Sequence, residues 1–171
     1  MGMIQDMAGP AKTKGNSRRG FTLLELLVVV SIILIVTLMA LPSARNAIRS
    51  YRLNAAASAV SGVIQSTRYQ AIMVGCPYTL TFTTSSMTYQ LATESITGTP
   101  PACSTSFSNV GSAVPWTTSK EIAIDQNLTL QFNPSGTVTA TTGSTTFNLK
   151  LGTMTKAFTV SGVGNVSIVS K

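Results

Sequence analysis

The chain has 171 residues, enough for one domain or for one small domain with an appendage. It carries 12 Lys+Arg against 5 Asp+Glu, a formal net charge of +7, with no histidine, two cysteines and 10% charged residues beside 44% hydrophobic ones. Histidine acid–base chemistry, Ser-His-Asp or Cys-His arrangements and histidine metal sites are therefore excluded. Two cysteines and the four acidic residues past position 20 are too few for a zinc cluster, and no cofactor is expected. Gly-x-Ser-x-Gly and Ser-x-x-Lys hydrolase motifs are absent from the sequence, so an enzyme is not expected. The apolar content suffices to bury a core, which argues against disorder.

Residues 1–20 form a polar preface with Lys12, Lys14, Arg18 and Arg19 against Asp6, a net charge of +3. An apolar block follows, F-T-L-L-E-L-L-V-V-V-S-I-I-L-I-V-T-L-M-A-L over Phe21–Leu41, with Glu25 as its one charge and no Gly or Pro. As a helix this block spans roughly 31 Å, about the thickness of a bilayer's hydrocarbon core. Backbone in lipid must satisfy its own hydrogen bonds, which makes helix the expected form and 21–41 a transmembrane segment. Four basic residues precede it and Arg45, Arg49 and Arg52 follow, so charge count alone scarcely orients the span. Its place first in the chain and its short N-terminal flank favour a cytoplasmic N-terminus. Past Arg68 only seven charged residues remain in a Ser- and Thr-rich stretch, which fits an exported, periplasmic head.

Helix is expected to continue past Pro42, a residue that kinks a helix without necessarily ending it. Alanines are frequent from Ser43 to Val74, and Leu53, Ala57, Val60, Ile64, Ala71 and Val74 recur at helical spacing as one apolar stripe. At Gly75-Cys76-Pro77 the period changes to 2. Tyr78/Leu80/Phe82, Tyr89/Leu91, Ile122/Ile124, Leu128/Leu130/Phe132, Phe147/Leu149/Leu151, Phe158/Val160 and Val166/Ile168 alternate with polar residues between turn signals. These predict short strands of an antiparallel sheet whose packed face is covered by the helix stripe. Residues 95–118, rich in Ser, Thr, Pro and Gly, read as a long loop. The expected fold is α+β, divided into 1–20, a helix over 21–75 and a β-rich head over 76–171.

The junction R-R-G-F-T-L-L-E-L-L-V-V-V-S-I-I-L-I-V at Arg18–Val36 resembles the leader and first helix of type IV pilins and type II secretion pseudopilins. The resemblance implies that residues 1–20 are a leader removed by prepilin peptidase after Gly20, with Phe21 as the new, N-methylated terminus. It also implies that Glu25 serves assembly by pairing with the Phe21 amine of a neighbouring subunit, and that Pro42 is the helix-kinking proline. The partners it implies are prepilin peptidase, other pilin or pseudopilin subunits, an inner-membrane assembly platform and inner-membrane lipid. Ser66–Ile72 with Thr79–Phe82, and Leu130–Gly136, are similar to stretches of the GspH/FimT minor subunits.

Several residues keep two readings. Glu25 in an apolar span is costly without a partner; headgroup contact or protonation is the alternative to assembly. Arg45, Arg49 and Arg52 share one helix face and suit lipid phosphates, acidic neighbours or DNA, or are simply solvated. Cys76 and Cys103 are the only cysteines; an oxidising compartment favours a disulfide across 26 intervening residues, the alternative being two unrelated small residues. Trp116 is either an exposed anchor for a partner or a lid on the sheet. DNA binding has little support. The arginines of the FimT-like Gly-Arg-x-Arg stretch are absent at Gly164-Asn165-Val166-Ser167, and Lys150, Lys156 and Lys171 are scattered without aromatic interleaving.

Overall fold

The computed structural model of the chain describes residues 20–98 and 102–171. Residues 1–19, which hold the rest of the expected leader, lie outside the described residues. The chain divides into two compact units, Met1–Pro42 and Ser43–Lys171.

One helix, α1, runs over Leu23–Val74. Thr22 precedes it as a cap: its Oγ1 accepts the Glu25 N–H at 3.2 Å, which satisfies one of the donors orphaned at a helix start. The Thr-x-x-Glu spacing is that of a capping box, and the carboxylate in the first turn suits the positive end of the helix dipole. Helix continues through Pro42, which lacks an amide hydrogen and so leaves the Leu38 carbonyl without its helical donor. In the first unit the large apolar side chains from Phe21 to Leu41 are 45–81% exposed. An apolar helix exposed on every side is stable only in an apolar surrounding.

In the second unit α1 becomes amphipathic. Leu53, Ala56, Ala57, Val60, Ile64 and Ala71 are buried, at the spacing the stripe predicts. Val74 departs from that expectation and is exposed, because the helix ends there and the chain turns away at Gly75. Thr67, the buried polar residue of this face, donates to the Val63 carbonyl one turn back at 2.7 Å and is thereby satisfied.

The strands follow as β1 (Tyr78–Thr83), β2 (Thr88–Thr97), β3 (Ala102–Pro115), β4 (Ile122–Ile124), β5 (Leu128–Phe132), β6 (Val138–Thr142), β7 (Thr146–Leu151), β8 (Met154–Val160) and β9 (Val166–Ser170). They form two antiparallel sheets where one was expected. The first has the order β3-β2-β1-β5-β6 and the second β4-β7-β8-β9. Inward residues alternate as predicted: Tyr78, Leu80 and Phe82 on β1, Leu128, Leu130 and Phe132 on β5, Phe147, Leu149 and Leu151 on β7. Phe82 of the first sheet meets Phe147 of the second at 6.4 Å between ring centroids, and Phe147 stacks on Phe158 at 4.9 Å. These rings and the α1 stripe share one core.

Most of the segment 95–118, expected as a loop, is strand instead. β2 reaches Thr97, and the 14 residues of β3 pair with it antiparallel, with register irregularities between Tyr89 and Leu91 and between Glu94 and Ile96. β3 is an edge strand, exposed along nearly its whole length. Without a buried face it has no reason to alternate, so hydrophobic period cannot reveal it.

Candidate functional site

The N-terminal segment holds the first group of candidate residues. Gly20, Phe21 and Thr22 lie outside any helix or strand, immediately before α1, and all three are exposed. Gly20 has nothing within 4 Å of the position a Cβ would take. Five residues after the Gly20–Phe21 bond, Glu25 occupies the first turn of α1, with its backbone N–H engaged by Thr22 and its carboxylate solvent-exposed in the isolated chain.

The other polar side chains of the apolar half take care of themselves. Ser31 donates to the Leu27 carbonyl at 2.8 Å and Thr37 to the Ile33 carbonyl at 2.7 Å. Hydroxyls bonded one turn back can enter hydrocarbon at little cost. Glu25 differs: the helix start offers its carboxylate N–H donors and a favourable dipole, but its net charge stays costly in hydrocarbon without a counter-ion. It is therefore the group in this segment that calls for a partner from outside the chain.

In the head, Cys76 and Cys103 are joined by a disulfide with Cα atoms 5.6 Å apart, tying the entry to β1 to the start of β3. Trp116 is 3% exposed and packs in the core, so it is the lid and not the exposed anchor. Arg45, Arg49 and Arg52 are all exposed on α1. The sequence gives no warning of two features at this end. Tyr51, Arg52, Ala55, Ala56 and residues 115–119 line a cleft of about 530 Å³. Trp116 borders it with its indole Nε1 buried and without a hydrogen-bond partner. A buried donor left unpaired costs about 1–3 kcal/mol. Only the β3 excursion brings residues 115–119 beside α1, which is why spacing in the sequence does not reveal the cleft.

Among the described residues, no group of three or more His, Cys, Asp or Glu side chains gathers where it could hold a metal ion.

Fold and site together define an α+β protein with one N-terminal helix long and apolar enough to cross a membrane, preceded by an accessible Gly-Phe junction. The family model of the prokaryotic N-terminal methylation motif matches residues 15–41. The chain thus carries a type IV pilin-like leader motif at its N-terminus, and a leader of this kind implies processing by prepilin peptidase and assembly with other pilin subunits. Neither the curated proteins nor the solved structures contain a match to the chain.

Proposed function

We propose that this protein is a structural minor subunit of a type IV pilus or type II secretion pseudopilus, of the GspH/FimT-like kind, and that it acts without catalysing a reaction. Residues 1–20 are the leader, 21–75 the assembly helix and 76–171 the displayed head. The chain waits in the bacterial inner membrane as a single-pass protein, N-terminus in the cytoplasm and head in the periplasm. Prepilin peptidase cuts between Gly20 and Phe21 and methylates the new Phe21 amine. The assembly platform then extracts the subunit into a filament.

The observation that carries this reading is the conjunction of Glu25 with a wholly exposed apolar helix. The carboxylate sits in the first turn, and every polar neighbour in the segment is already satisfied within the chain. A filament supplies both missing things, an apolar surrounding made of other helices and a cation at the depth of Glu25. That cation is the amine of an adjoining Phe21, and only cleavage creates it. A displayed binding role for the head is the second reading, favoured by the cleft beside Trp116.

Co-expression with an active or an inactive prepilin peptidase tests the proposal. Mass spectrometry should find a chain beginning at methylated Phe21 only with the active enzyme. Site-directed crosslinking should then place that chain, and not the uncut one, among other pilin subunits in sheared filaments. Equal incorporation of the uncut chain would overturn the assignment.

A further inference from the structure

We propose that the cleft between α1 and the β3–β4 connection is a receptor site for an acidic peptide segment of another protein, with Arg52 taking the carboxylate. The site lies wholly in the unit Ser43–Lys171 and does not depend on the filament reading.

Its size and layering are those of a binding site. About 530 Å³ falls in the ordinary range for ligand cavities, about 300–1,000 Å³. Ala56, Ile122 and Trp116 are buried and make an apolar floor, while Tyr51, Arg52 and Thr118 are exposed and make the rim. Thr117 and Ser119 are half-buried between the two.

The polar groups of the lining are biased toward donation. Arg52, the charged group of the lining, can only donate. Thr117 Oγ1 already accepts the Ser119 N–H at 3.1 Å. No carboxylate lines the cleft. Arg45 and Arg49 extend the positive face along α1 toward Arg52. From Ser43 onward the chain has eight Lys/Arg against three Asp/Glu, so the long-range field points the same way. The complement is an anion rich in acceptors.

A peptide carboxylate fits better than a phosphodiester. The floor accepts an aliphatic side chain flanking the acid, and the hydroxyls of Thr117, Thr118 and Ser119 both donate and accept, as a peptide backbone does. Single-stranded nucleic acid needs a succession of exposed rings for its bases, and here Tyr51 is the one exposed ring at the rim.

Trp116 is the sole tryptophan of the chain, so its fluorescence reports on this site alone. The full chain in detergent would be titrated with blocked tripeptides, acetyl-Xaa-Asp-Xaa-amide with Xaa as Ala, Val, Leu or Phe, and with their Asn counterparts. The expected result is a saturable change with Asp peptides, at least tenfold weaker with the Asn series and with Arg52→Gln. Arg52 is exposed, and an unchanged melting temperature confirms that the variant folds. Lys156→Gln, remote from the cleft lining, should bind normally. Absence of saturation with every Asp peptide, or an equal response in Arg52→Gln, overturns the proposal. An Arg52-dependent response stronger with oligothymidine or phosphatidylglycerol vesicles than with any peptide overturns it in favour of nucleic acid or lipid.

Discussion

Arg68 on α1 donates from Nε to the carbonyl oxygen of Gly136, 3.2 Å away in the turn between β5 and β6. The same side chain lies against Gly164, in the turn between β8 and β9, where a Cβ would run into its Cδ and Nε. The two turns are joined directly, since the Val138 N–H donates to the Gly162 carbonyl at 2.8 Å. One guanidinium stem thus ties the helix to both sheets. Gly136 and Gly164 have φ of +80° and +75°, and each adds a conformational reason to the steric one for being glycine.

Arg68→Ala should destabilise the head by about 1–3 kcal/mol, the cost of removing a charged donor from a half-buried carbonyl. Gly164→Ala should cost a similar amount in the native background. In an Arg68→Ala background it should cost less, because the two closest clashing atoms are gone and what stays is the backbone strain of about 1–2 kcal/mol and the tight approach to Val138 Cγ2 at 3.1 Å. Urea melts of the four proteins give the coupling; strict additivity would refute this contact.

The Cys76–Cys103 bridge closes a loop of 27 residues in sequence that contains β1 and β2. Loop-closure entropy assigns it about 3.5 kcal/mol. Reduction, or a Cys76→Ser/Cys103→Ser double variant, should lower the unfolding free energy by that order. Non-reducing peptide mapping should recover residues 76 and 103 in one linked species. Unchanged stability on reduction would show that β3 holds its place without the bridge.

Glu25→Ala should leave membrane insertion intact and abolish incorporation into filaments, because the span stays apolar while its demand for a cation vanishes. Thr22→Ala removes the cap and should cost about 1 kcal/mol of helix stability, with insertion again normal. Carbonate extraction measures insertion and shearing measures incorporation. Normal incorporation of Glu25→Ala would contradict the assembly role.

Phe147 stands between the two sheets, against Phe82 on one side and Phe158 on the other, and is 2% exposed. Phe147→Ala should therefore destabilise the head by about 3–5 kcal/mol. Phe107→Ala, on exposed β3, should change stability by less than about 0.5 kcal/mol. Chemical denaturation of the two variants makes the comparison; similar losses would mean that β3 is not a free edge.

The helix and most inward strand positions are legible in the sequence because burial on one face imposes a period. Leu53, Val60, Ile64, Leu80, Phe132 and Leu149 each fall where that period puts them. The helix long and apolar enough to cross a membrane and the methylation motif over residues 15–41 are legible for a related reason: both are patterns of local chain chemistry, and local chemistry is what sequence displays. β3 is not legible, because an edge strand exposed on both faces carries Ser, Thr, Asn and Gly without alternation. Nor is the division into two sheets, since strands of either sheet alternate in the same way.

What the chain alone determined was which residues avoid water, and hence the span, the helix face and the rhythm of the strands. Tertiary structure decided which distant segments meet: Arg68 with Gly136, Cys76 with Cys103, and Arg52 with the loop after β3. The hydrophobic effect is non-directional and leaves a periodic signature along the chain, whereas a hydrogen bond, a disulfide or a cleft depends on two backbones arriving at one point. No period within either segment records that arrival.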